Sequence, residues 1–379
     1  MDTPTPARDR VDSVIRPILD LDGALPVAFD RSFEAPSPAD RLRQVKRAAH
    51  ALRERLLSGP RVRYYGTFDL IRAPYPTRYA LRDATWVPTP FVHIVNRLFV
   101  IQFDTPAGVK TLLAEPLDRE GNAQTPFFKR LGDSLGGADG PLGRRLYPPL
   151  GDVLALLRAL GIAPEDVDYI TYDHLHTQDI RKWLGTGDRP GAFPNAKLLV
   201  MREEWDIARD PLPIQRDWYP PQGIAGVPAE RVILLDHSVT LGDGVALVRT
   251  PGHTDGNHSI VAHTAEGLFV TSENGVGADA YAPTKSRIPG LRRYAKDTGM
   301  EVVLNGNTLE GSTEQYLSMI LERELAGASV RNPDFYNIAN SSEMSADWRS
   351  PGLDPTFTFG PLAFGTPVTR GSGAHGVAR

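Results

Sequence analysis

Apolar residues first recur at helical spacing from Leu42. Leu42, Val45, Ala49, Leu52 and Leu56 step by three and four and mark one stripe of a helix. Ser37-Pro38-Ala39-Asp40 supplies its start: a capping hydroxyl, a proline suited to the first turn and an acid at the positive end. Ser58-Gly59-Pro60 stops it. The stripe can pack on this chain's own body or on another subunit. Residues 1–36 are weakly periodic and read as an arm, and residues 61–88, rich in Arg, Tyr and Pro, fit neither a helical nor an extended template.

From Pro90 the pattern turns extended. Residues 91–103 and 109–114 are β-branched and aromatic runs around a turn at Gly108, which predicts a hairpin at a sheet edge. Residues 115–149, dense in Gly, Pro and Asp, read as a long loop of the kind that covers a site. Val153, Leu156, Leu157 and Leu160 mark a helix ending at Gly161. Short strands are expected at 167–172, 196–201, 232–235, 245–250, 259–262, 268–271 and 302–305. Helices are expected around Ile180, Trp183 and Leu184, over 285–298 and over 313–325. The tail from Ser329 is rich in Pro, Gly and Ser, and residues 371–376 are expected to be disordered. Hairpins mixed with strand–helix units imply an α/β protein with mixed sheets.

Composition narrows the chemistry. The 379 residues allow one large domain or two. Zero cysteine rules out disulfides, thiolate zinc sites, Fe–S clusters and cysteine nucleophiles. A net charge of −4 argues against a nucleic-acid or anionic-membrane binder. No run approaches the roughly 18 apolar residues of a membrane helix. The start, Met-Asp-Thr-Pro-Thr-Pro, lacks a signal peptide's apolar core, so a cytoplasmic protein is expected. No GxxxxGK[ST], GxSxG or dinucleotide fingerprint is present, which disfavours P-loop and serine-hydrolase chemistry.

Histidine carries the signal. His174-Leu175-His176 follows a strand, with Gln178 and Asp179 just beyond. Alternate residues of an extended segment point the same way, so both imidazoles can face one point. Thr250-Pro251-Gly252-His253-Thr254-Asp255-Gly256-Asn257-His258-Ser259 lies between two strands, and its Pro-Gly turn exposes His253. Three imidazoles with open positions are the pattern of catalytic zinc.

These stretches together resemble the metallo-β-lactamase-fold hydrolases, over about residues 90 to 325. The resemblance implies a four-layer αβ/βα sandwich and divides the chain into three parts: an N-terminal arm with a helical extension (1–89), a hydrolase domain (90–328) and a tail (329–379). It also implies that His174, His176 and His253 hold one metal. The ligands of a second metal are altered. Gln178 stands at the usual aspartate position and Asp179 at the usual histidine position. Glu273 occupies the bridging acid's place, and Asn305 or Asn307 lies where the late histidine falls. Zinc is the default for three histidines; iron and manganese also suit three imidazoles and a carboxylate, and one metal is favoured over two.

A metal-bound hydroxide would then attack a small ester, lactone, thioester or activated aryl ether, with Asp179 orienting or deprotonating the water. The rivals are a metal-poor subunit supporting an active partner, and a carboxylate-rich di-iron redox protein. A homo- or hetero-oligomer is expected. Trp183, Trp205, Trp218 and Tyr219 can line an apolar pocket or pack in the core. His258 is expected beside the loop, His237 in a turn, and His93 as a hydrogen-bonded core or pocket residue.

Overall fold

The computed structural model describes residues 14–20, 26–27, 29–31, 35–134, 140, 145, 147–306 and 311–369. Asn307 and the stretch 371–376 lie outside them. The elements begin with β1 (Arg16–Pro17), α1 (Pro38–Ser58), β2 (Tyr64–Pro76), β3 (Phe91–Thr105), β4 (Gly108–Ala114), α2 (Pro126–Ser134), α3 (Val153–Ala159) and β5 (Tyr169–Thr171). Then follow β6 (Lys197–Met201), α4 (Arg202–Arg209), β7 (Val232–Leu235), β8 (Val239–Gly242), β9 (Val245–Arg249), β10 (His258–Thr264) and β11 (Gly267–Thr271). The last are α5 (Leu291–Thr298), α6 (Ser312–Ala326), β12 (Ser342–Ser345) and β13 (Ala363–Gly365).

Two sheets form. One runs β13-β2-β3-β4-β5-β6-β7, with β12 paired to β3; the other runs β1-β8-β9-β10-β11. The links β4–β5, β5–β6 and β6–β7 are parallel, and the second sheet is antiparallel. Side chains alternate across each strand, so the central strands serve two cores. Phe99, Ile101, Phe103 and Leu112 of the first sheet meet Val245, Leu247, Ile260 and Phe269 of the second. Leu98, Val100, Leu113 and Ile170 turn outward onto Val153 and Leu157 of α3. Ala246, Val248, Val261 and Val270 turn outward onto Val45, Ala49 and Leu52 of α1 and Met319, Ile320 and Leu325 of α6. The result is the four-layer αβ/βα sandwich. Each fully buried Phe, Leu or Ile on these faces contributes about 1.5–3 kcal/mol, so stacking of the sheets outweighs strand propensity.

Helix α1 packs on its own chain. Ser37 Oγ caps it by accepting from Asp40 N at 3.4 Å. Arg53 Nη1 donates to Leu325 O (2.9 Å) and Ala326 O (3.1 Å), the last carbonyls of α6, where a cation is favoured by the helix dipole. No helix among the described residues is long and apolar enough to cross a membrane.

Several expectations change. The β3–β4 hairpin is central, because β2, which fitted neither template, pairs with β3 from Phe91 to Gln102. Residues 115–149 contain α2. Residues 285–290 precede α5 instead of belonging to it. Residues 302–305 form no strand: Val303 N donates to Ala280 O (2.8 Å) and Asn305 N to Asn274 O (3.1 Å), loop bonds that replace a ladder.

Candidate metal centre

The loop after β5 carries His174 and His176. Asp173 N donates to Glu115 Oε1 (2.7 Å) and Leu175 N to Glu204 Oε1 (2.7 Å), so buried carboxylates hold the backbone on either side of His174. Thr177 then reverses the chain at φ +63°, a costly conformation for a β-branched residue. It is held by Thr177 N donating to Trp218 O (2.7 Å) and by Asn122 Nδ2 donating to Thr177 O (3.2 Å).

The loop after β9 carries His253 and is held differently. Gly252 sits at φ +141°, and a Cβ there would lie 2.2 Å from the Gln315 backbone on α6. Only glycine permits this approach. Ser318 Oγ donates to Pro251 O (2.7 Å), and His253 N donates to Asn274 Oδ1 (3.1 Å). Gln315 Nε2 reaches Asn274 O (2.9 Å) and Asn305 O (2.7 Å). Asn274 Nδ2 and Ser259 Oγ donate to Glu322 Oε1, and Tyr281 Oη donates to its Oε2.

The three imidazoles converge. Ring centroids are 4.6 Å apart for His174–His176, 4.6 Å for His174–His253 and 5.1 Å for His176–His253. One nitrogen from each lies within 4.8 Å of the other two, so a point within about 2.8 Å of all three exists, against zinc–nitrogen bonds near 2.0–2.1 Å. All three side chains are buried. Neither ring nitrogen of His176 has a hydrogen-bond partner among the described residues. Buried polar atoms left so are rare without a ligand to satisfy them. The donor set therefore fits a cation.

Charge is arranged around that point. Asp173 Oδ1 lies 2.6 Å from His174 Nδ1 and its Oδ2 accepts from Ser341 Oγ at 2.6 Å, which fixes the ring and turns Nε2 toward the centre. Burial depresses the His174 pKa, but the Asp173 carboxylate more than offsets it and holds it at about 9. Burial and the neighbouring His174 hold His176 well below the usual imidazole range. His253 is also held well below, by burial first and then His174. Burial pushes Glu273 up to about 7, and pushes Glu115, which sits at φ +59°, well above the carboxylate range.

Asp179 lies outside the histidine group, its carboxylate engaged by Arg181 through Nε (2.9 Å), Nη2 and backbone N (3.1 Å). Glu273 is also outside the group but lines the same cavity of about 30 Å³, with His174, His176, Glu115, Gln178, Tyr75 and Trp218 among its walls. Gln178 Oε1 is buried there without a hydrogen-bond partner among the described residues. Asn305 accepts from Tyr75 Oη (2.7 Å) and donates to Glu273 O (3.1 Å), bracing the loop after β11. His258 Nε2 pairs with Thr171 Oγ1 (3.0 Å), and His93 Nδ1 with Ser350 Oγ (2.7 Å). Trp183 stacks on Phe193 and Trp205 joins the same core, whereas Trp218 and Tyr219 stand 6.1 and 4.8 Å from the His176 ring.

Asp173, Glu115, Glu204 and Glu322 escaped the sequence reading. Asp173 adjoins His174 and was the most legible. The others lie far away in sequence, and only the fold brings them in. Glu204 joins the two loops: its Oε1 accepts from Leu175 N and Tyr219 Oη (2.8 Å), and its Oε2 from Thr254 Oγ1 (2.5 Å).

No protein-family model matches the chain. N-acyl homoserine lactonase AttM of Azorhizobium caulinodans is 29% identical over 176 residues, 40% of this chain and 62% of that protein. An N-acyl homoserine lactonase of Bacillus cereus is 30% identical over 118 residues, 31% of this chain and 42% of that one. The chain thus spans less than two-thirds of the length of these relatives. Among solved structures, AidC, a dizinc quorum-quenching lactonase, is 14% identical with a TM-score of 0.47, covering 82% of this chain and 96% of that one. The chain is thus similar in part of its sequence to N-acyl homoserine lactonases, and it brings its histidine motifs together at one point of a four-layer α/β fold.

Proposed function

We propose that this chain is a metal-dependent hydrolase of a small organic substrate, with a lactone or ester preferred over a thioester or activated aryl ether. The observation that carries the reading is the convergence of His174, His176 and His253 in a buried, carboxylate-braced pocket. These three residues would hold one divalent cation, zinc by donor chemistry, with iron or manganese the alternatives. Bound there, a cation supplies Lewis acidity and acidifies coordinated water toward pH 7.

The chain's own residues supply the rest. Asp173 fixes the His174 ring. Glu273, a buried carboxyl on the cavity wall with Tyr75 and Asn305 behind it, is placed to ligate or to hold a proton at its carboxylate oxygens. Trp218 lines the wall beside His176. Asp179, committed to Arg181, is assigned a positioning role for the segment after the histidine pair. The lactonase names of the sequence relatives favour a cyclic or open ester as the bond broken.

Protein purified without chelator is expected to carry about one metal per chain and to hydrolyse a γ-lactone or an aryl ester. His176→Ala is expected to lose metal affinity by more than about 100-fold and activity with it. Full metal and full turnover in that variant would end the reading.

A further inference from the structure

The cavity at the histidines is far too small for a substrate. About 30 Å³ admits one water-sized group, whereas sites for small molecules run to roughly 300–1,000 Å³. Only the reacting group fits there, and the body of the substrate must lie next door. A cavity of about 770 Å³ lies across the Trp218–Phe127 stack from it, with no lining residue in common. The end of β2 lines both, Tyr75 on the small cavity and Pro76 on the large one. Helix α2 lines both as well, with Phe128 facing in and Phe127 facing out. Phe127 stacks on Trp218 at 4.6 Å between ring centroids, and Trp218 stands beside His176.

The large cavity has a sign. Arg78, Arg82 and Arg130 line it against one carboxylate, Asp83. Arg130 is neutralised by Asp217, which it grips through two bonds of 3.0 and 2.6 Å. Arg78 and Arg82 have no carboxylate within ion-pair distance among the described residues. Arg78 lies over the Tyr79 ring, 4.7 Å from its centroid, and donates to Tyr79 Oη (2.7 Å). Arg82 stands at φ +44°, left-handed backbone that is uncommon for such a residue, with Nη1 donating to Ser312 Oγ (3.1 Å). Both guanidiniums are thus fixed by neutral groups, with further N–H donors unassigned. A smaller cavity of about 280 Å³, which shares Asn122 and Phe128 with the histidine cavity, has balanced charge, Arg119 and Lys129 against Glu120 and Asp133, and so selects no sign.

We infer that the 770 Å³ cavity seats the anionic end of the substrate, a carboxylate, phosphate or sulfonate, with an aromatic or apolar stretch lying along Phe127. The inference rests on the hydrolase reading and extends it: the substrate is an anion at one end and an ester or lactone at the other. Guanidinium–oxyanion bonds are charge-assisted and suit this task.

Calorimetric titration with 3-phenylpropionate and with its neutral amide tests it on the intact chain. The acid is expected to bind about tenfold tighter than the amide, a preference lost in Arg78→Gln/Arg82→Gln and kept in Lys129→Gln. Both arginines are at least partly exposed, so neither substitution threatens the fold. Metal per chain is expected to stay within about twofold in the double variant. Equal binding of acid and amide would overturn the inference. So would loss of the preference in Lys129→Gln instead, or displacement of the acid by inorganic phosphate at equal concentration, which marks a mere anion site. None of these outcomes touches metal binding at the histidines. Absence of metal with the acid preference intact would sink the hydrolase reading alone.

Discussion

The loop after β5 and the loop after β9 deliver imidazoles to one point by opposite means. Carboxylates anchor the first: Glu115 and Glu204 take its backbone N–H groups and Asp173 takes the His174 ring. Amides, hydroxyls and close backbone contact anchor the second: Asn274, Gln315, Ser318 and the Gly252–α6 approach. The carboxylate side sets charge at the centre, and the amide side sets position. Negative charge beside His174 raises ligand basicity and offsets part of a cation's charge. A neutral, sterically tight seat for His253 adds precision without adding further charge to a pocket already crowded with buried acids.

Substitutions can break that contrast. The largest effect after loss of a histidine is expected from Gly252→Ala. A methyl 2.2 Å from the Gln315 backbone must displace the loop or α6, at about 3 kcal/mol or more of stability, read by denaturant melts, with metal retention falling alongside. Unchanged stability would mean that position on the amide side is not set by contact.

Next comes pH. Burial pushes Glu322, under the amide-held loop, up to about 7 from 4.5. The folded chain therefore keeps a proton that the unfolded chain releases between those values. The stability linked to this group is full below about pH 4.5 and is lost as pH rises toward 7, by up to about 3 kcal/mol. Chemical denaturation from pH 5 to 8 should show that fall in the parent and a flatter curve in Glu322→Gln.

Glu204→Gln probes the one residue that joins both loops. Its side chain accepts from three donors, and the amide's single oxygen leaves donors unmet, at about 2 kcal/mol. Melting and metal retention should fall together; a fall in melting alone would separate the loops. The smallest effect is expected from Asp179→Asn, about 1 kcal/mol for the weakened Arg181 pair, with metal per chain unchanged. Metal loss there would return Asp179 to the ligand set.

Local signals were strong in the sequence. The stripe of α1 and its cap, α6, most of the short strands and the two histidine stretches all rest on neighbours along the chain, where spacing and turn chemistry are decisive. Non-local pairing was hidden. β2 carries proline and arginine in a sheet interior it joins only because β3 is long enough to pair with it throughout. Val302 and Val303 read as strand yet bury themselves in a loop, since burial and β pattern look alike over four residues. At the site, residue type and spacing were enough to bring out the three imidazoles. The acids behind them sit just past β4, on α4 and on α6, and nothing local marks Glu115, Glu204 or Glu322 as neighbours of a histidine.

The short strand β12 has a consequence for synthesis. It lies beyond all three imidazoles in the chain, yet it pairs with β3, and Ser341 and Ser342 close the pocket, Ser341 by donating to Asp173. On the ribosome the histidines emerge first and the wall that steadies their acid emerges later. A nascent chain thus carries the three imidazoles before it carries the serines that fix their arrangement.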